Sequence, residues 1–231
     1  MSPIPSGAVV DACTLKNFSI VGRMDVLEKH FASRARWTEA IQREAGRLGL
    51  PPLDWLGPAM SPGDDIEALI GVDEIRRGLG ATHADPATLH LGEAEAIYVL
   101  ERYHEDWTFV SDDQPAVDFA RRRGLTAIDS EAVLADCYES ELLGCPEAFD
   151  LLKSMADAGR GVRVPPSHWF VCPPTPRPET RMHLSLSSAP YLVRVAAGQQ
   201  PRCTGSLVVP VRLFAPKVMA WAVAAAGTDG A

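Results

Sequence analysis

The sequence predicts an α/β domain with a central, mostly parallel sheet flanked by helices. Short β-prone runs at residues 8–13, 107–111 and 125–128 alternate with longer segments whose apolar residues recur at helical spacing. Such alternation implies a parallel sheet covered on both faces. In addition, Asp11 and the Asp112–Asp113 pair each directly follow an apolar run, where ligands bind beyond the carboxyl ends of strands in sheets of this kind. With 231 residues, 46% hydrophobic and 23% charged, the chain has the composition of a globular domain of ordinary size plus an appendage.

In chain order, residues 8–13 form a strand ending near Asp11, and residues 17–31 carry helix-like spacing, with Leu27 and Phe31 four apart. Thr38 caps a helix running to about Leu48, and Gly49, Pro51 and Pro52 break it, leaving residues 49–63 as loop. Ile66, Leu69, Ile70 and Ile75 lie in helical phase within residues 64–79. The segment GEAEAIYVLERYHE is the clearest helix. A strand at 107–111, a loop and helix closed by Gly124, and a strand at 125–128 follow. Residues 130–144 and 146–158 read as two more helices. A domain over residues 1–170 is expected, followed at 171–231 by a proline-containing linker and an extension of uncertain structure, to which the sequence assigns no role.

The acids carry the chemistry. One Asp after a strand is ordinarily a turn residue or helix cap, but two such sites at one sheet edge are less ordinary. Glu44 falls on the apolar stripe Ala40, Ile41, Ala45 and Leu48. Glu93 lies close to the stripe Ala96, Ile97, Leu100 and Tyr103, whereas Glu95 is expected to point away from its centre, so Glu93 is preferred. Singly, each Glu is an unremarkable helix residue. Together, buried carboxylates repel one another and need hard cations such as Mg2+ or Mn2+ in compensation. A bound cation generates hydroxide from water and stabilises charge on a phosphoryl group, which is the chemistry of phosphodiester hydrolysis without a Ser or Cys nucleophile. Cys13, beside Asp11, is expected to be a small buried residue.

The segments VVDACTLKNF, WTEAIQREA, LGEAEAIYVLE and FVSDDQPAVDFARRRGL occur in an order that resembles the PIN-domain family of metal-dependent ribonucleases, especially VapC-like toxins and a subgroup with a GEAEA-type third acidic position. The likeness covers roughly residues 8–128, and AFDLLKSMADAGRGVRVPP extends it more weakly to about 166. The resemblance implies a PIN-like fold, an endoribonuclease activity, and a catalytic set of Asp11, Glu44, Glu93 and Asp112. Glu95 and Asp113 stand as alternative metal ligands, because the pattern does not fix the register within GEAE or the DD pair. Lys16, Asn17 and Ser111 are candidates to touch phosphate or orient a ligand. The family also implies an RNA substrate, a cognate antitoxin and a homodimer. A PIN-like module that only binds protein or RNA is the alternative function.

Charge and cysteine usage restrict the remaining possibilities. A net charge of −8 argues against RNA held by a general basic surface, so metal must assist. The basic residues Arg177, Arg181, Arg194, Arg202, Arg212 and Lys217 in the last stretch leave the preceding chain more acidic still. The run Arg121–Arg123 reads first as a solvated helix end and second as an RNA contact. Five cysteines with no CxxC pair suggest neither a zinc site nor a disulfide framework, and a cytoplasmic location is expected. The amino terminus lacks signal-peptide features, and no apolar run is long enough to span a membrane. A receiver domain would place its acidic pair early, and a haloacid-dehalogenase phosphatase would need an Asp where Cys13 stands.

Overall fold

In the computed structural model of the chain, residues 6–173 are described; the extension from residue 174 onward, with Cys203, lies outside them. The chain divides into two units, Met1–Thr180 and Arg181–Ala231, and every element below belongs to the first. Among the described residues the sheet has four strands in the order β2-β1-β3-β4, all parallel. They are β1 (Ala8–Val10), β2 (Ala35–Arg36), β3 (Thr108–Val110) and β4 (Thr126–Ile128). Every residue of β1 and β3 is buried, as parallel strands covered on both faces must be. Val10 pairs with Val110, and Val110 with Ile128, so the three strands end level and Asp11, Ser111 and Asp129 leave the sheet along one edge.

Among the described residues, eight α-helices flank this sheet: α1 (Ala12–Ile20), α2 (Met24–Phe31), α3 (Glu39–Arg47), α4 (Ile66–Gly78), α5 (Leu91–Tyr103), α6 (Gln114–Arg122), α7 (Ser130–Glu139) and α8 (Glu147–Asp157). Four start on side-chain caps that satisfy first-turn amides: Asp11 for α1, Thr38 for α3, Asp65 for α4 and Asp129 for α7. Phe18, Phe109, Leu15, Leu27, Ile41 and Ile97 are among the largest wholly buried side chains of the core. No helix among the described residues is long and apolar enough to cross a membrane.

Three features differ from the sequence reading. The helix expected at 17–31 is two helices, and the first begins at Ala12. Gly22, at φ 67°, takes the left-handed turn that ends α1, with the Arg23 amide donating to the Phe18 carbonyl. The apolar spacing runs on across this break because Val26, Leu27 and Phe31 of α2 are buried as well. Second, β2 is only two residues long, too short to leave a pattern. Third, most of the expected stripe of α4 faces outward: Ile66, Leu69 and Ile70 are 75%, 61% and 52% exposed, and only Ile75 of the four is buried. The buried face of α4 is Ala68, Val72 and Ile75, with Gly71 against the Tyr98 ring, because close approach to α5 requires small side chains.

Candidate metal centre

Asp11 anchors the centre. Its backbone amide donates to the Val110 carbonyl across the sheet (2.9 Å), and its side chain begins α1, Oδ1 accepting from the Ala12 amide at 2.8 Å. Oδ2 accepts from the Cys13 thiol (2.8 Å) and the Ser111 hydroxyl (3.0 Å). The carboxyl is only 2% exposed. Burial, then the negative charge of Glu93 and of Glu44, pushes its pKa from 3.8 up to about 7, against the stabilising hydrogen bonds from Cys13 and Ser111. Burial and the neighbouring Asp11 carboxylate also push the Cys13 thiol well above its ordinary range. Cys13 therefore serves as a protonated hydrogen-bond donor rather than a nucleophile.

The helices α3 and α5 bring two further carboxylates to this edge, and Gly92 allows them to approach. A Cβ on Gly92 would lie 3.2 Å from Ile41 Cγ1, 3.5 Å from Glu44 Oε2 and 3.8 Å from Asp11 Oδ1, so a side chain would fill the space these carboxylates share. The Glu44 carboxylate has no hydrogen-bond or ion-pair partner among the described residues. Glu93, in the first turn of α5, has its pKa raised by burial and by Glu44 and Asp113, with His90 acting in the opposite direction. His90 Nδ1 stands 3.6 Å from Glu93 Oε1. His90, Glu93 and Asp113 form a group whose ligand atoms all lie within 4.8 Å of one another and which could hold a metal ion. Asp11, Glu44, Glu93 and Asp113 thus converge with one imidazole and no Lys or Arg among the contacts that define them.

The other sequence candidates occupy different places. Asp112 turns away into a knot of donors: Oδ2 accepts from Thr14 Oγ1 (3.2 Å), Asn17 Nδ2 (2.6 Å) and Ser130 Oγ (2.6 Å), and Oδ1 from the Ser130 amide (2.9 Å). Asn17 in turn accepts from Arg160 Nε at 2.6 Å. Most of the accepting capacity of Asp112 is used up in joining α1, β3 and α7. Ser111 links Asp11 to the Asp113 amide, which donates to Ser111 Oγ at 3.1 Å. Lys16 points its ammonium at the Leu48 carbonyl, 3.1 Å away at the end of α3.

Glu95 corrects the stripe argument. It was expected to point away from the apolar stripe, yet it is 6% exposed, because residues 94–100 of α5 are buried on every side and the helix has no single inner face. Its carboxylate accepts from the Ala40 amide (2.8 Å) and pairs with Arg43 (3.4 Å), fastening the start of α3 rather than joining the acidic group. In the basic run, Arg121 donates to the Ala127 carbonyl and Arg123 pairs with Glu101. Sequence reasoning missed His90, Ser130 and Arg160. Of these only His90 left a local signal, a His three residues before a Glu at a helix start. Compared with protein-family models, curated proteins and solved structures, the chain matches none.

Proposed function

We propose that this chain has a PIN-like fold and is a metal-dependent endoribonuclease, acting on RNA phosphodiester bonds at a Mg2+ or Mn2+ site and held in check as the toxin of a toxin–antitoxin pair. The observation that carries the reading is the convergence of Asp11, Glu44, Glu93 and Asp113 at the carboxyl edge of an all-parallel sheet, with the pKa values of Asp11 and Glu93 raised by burial first and then by neighbouring carboxylates. Without a cation, such a group opposes folding; with one, it is a ligand set. Glu93 and Asp113 would hold the ion, with Asp11 and Glu44 beside them. A divalent ion bound there would activate water near neutral pH and stabilise charge on the phosphoryl oxygens.

The chain's own groups divide the rest of the work. Glu44, whose carboxylate lacks a partner, accepts the proton of the attacking water. Ser111 fixes the orientation of Asp11 and, through the Asp113 amide, the start of α6. The Asp112 knot holds α1 and α7 in place around them rather than touching substrate. The exposed ridge of Ile66, Leu69 and Ile70 on α4 supports a protein partner, in keeping with an antitoxin.

The test is cleavage of labelled structured and single-stranded RNAs in Mn2+, Mg2+ or chelator, with Asp11→Asn and Glu44→Gln purified identically. Cleavage should require metal and both acids. The second reading, a PIN-like module that only binds, rests on the structural use of Asp112, which would retain an acid there without catalysis. It takes over if the wild type cuts nothing and Mn2+ leaves its melting temperature unchanged.

A further inference from the structure

We propose that His90 is a nitrogen ligand of this metal centre, and that the centre therefore selects Mn2+ over Mg2+. The inference rests on the metal-site reading above and specifies its chemistry. A helix-start ion pair would explain His90 and Glu93 by themselves, 3.6 Å apart and three residues apart on α5. It does not explain Asp113, the residue that starts α6 three positions beyond β3, which brings a second carboxylate within the same 4.8 Å reach.

The spacing fits one ion. Ligand atoms about 2.1 Å from a common centre are at most about 4.2 Å apart, so the three need close by only a few tenths of an ångström. The 3.6 Å separation of His90 Nδ1 and Glu93 Oε1 already falls inside that limit. The side chains of both are largely shielded, at 25% and 14% exposed, yet open enough for an ion to enter.

The ligand types decide which ion. Mg2+ prefers an all-oxygen shell and gives up water reluctantly, whereas imidazole nitrogen suits first-row transition ions. A centre of one imidazole and two or more carboxylates gives Mn2+ an advantage that four carboxylates would not. A site built only from Asp11, Glu44, Glu93 and Asp113 would treat the two ions more evenly.

The experiment uses the full chain without an affinity tag, with Mn2+ as probe. Pulsed electron paramagnetic resonance reads whether a nitrogen-14 nucleus is bonded to the bound Mn2+, and competition titrations read Mn2+ and Mg2+ affinity separately. The comparison is His90→Asn: His90 has φ 55°, a backbone region that Asn tolerates, and the amide offers oxygen instead of the imidazole nitrogen. The wild type should show the nitrogen coupling. His90→Asn, with an unchanged circular dichroism spectrum, should lose it and bind Mn2+ about tenfold or more weakly, with Mg2+ affinity little changed. Mn2+ bound to the wild type without nitrogen coupling overturns the role of His90 and leaves the carboxylate site standing. Failure of the wild type to bind Mn2+ at all overturns the metal site and the His90 assignment together.

Discussion

Replacing Asp11 by Asn should stabilise the metal-free protein while abolishing its response to metal. The Asp11 carboxyl titrates near 7 in the folded chain against 3.8 for the unfolded group. Because the folded value is raised, the associated stability is fully present below pH about 4 and is lost as pH rises through about 7. About three pKa units at 1.36 kcal/mol each set a ceiling of about 4 kcal/mol on what neutralisation recovers at pH about 8. Asn keeps an oxygen for the Ala12 amide, and its NH2 can donate to Cys13 Sγ and Ser111 Oγ, which now donate to Asp11. Allowing about 1–2 kcal/mol for poorer hydrogen bonds, the variant should melt roughly 5 to 10 °C above wild type in chelator at that pH. The gap should close and then reverse as pH falls towards about 4, where only the hydrogen-bond cost of about 1–2 kcal/mol remains. Thermal melts over this pH range, with chelator and then with Mn2+, make the measurement. A variant that melts below wild type at the alkaline end in chelator refutes the claim that the ionised carboxylate is held at a cost.

Three further outcomes follow from the geometry. Gly92→Ala gains helix propensity of about 1 kcal/mol but places a methyl against Ile41, Glu44 and Asp11, so melting in chelator should change little while Mn2+ affinity, read by titration, falls. Asn17→Ala removes a donor to Asp112 and the acceptor of Arg160, both at 2.6 Å, and should cost about 1–3 kcal/mol in denaturant unfolding. Glu95→Ala strands the buried Ala40 amide and should destabilise by about 1–3 kcal/mol, yet leave Mn2+ affinity at the wild-type value, since Glu95 faces α3.

How much of this was legible depended on the distance over which the determining contact acts. Asp11 was readable because the strand before it and the helix it caps are both local, and Thr38 declared the start of α3 in the same way. The break at Gly22 was obscured by apolar residues that keep their spacing across it. The outward turn of Ile66, Leu69 and Ile70 was set by what α5 offers α4, which α4 alone cannot reveal. Glu95 escapes a one-face rule because α5 is surrounded by protein. The choice between Asp112 and Asp113 depends on Thr14 and Asn17 on one side and Ser130 on the other, residues that no pattern within the DD pair reports.

The knot around Asp112 is also completed late in the synthesis of the chain. Thr14, Asn17, Asp112, Ser130 and Arg160 come from widely separated parts of the chain, and their hydrogen bonds meet only after α1, β3, α7 and the turn following α8 have docked. A chain emerging from the ribosome cannot complete this arrangement until Arg160 has been synthesised, by which time nearly the whole sheet-bearing unit is available to fold. Every strand of the sheet precedes Arg160 in the chain, so this last hydrogen bond closes over an edge whose strands have already been made.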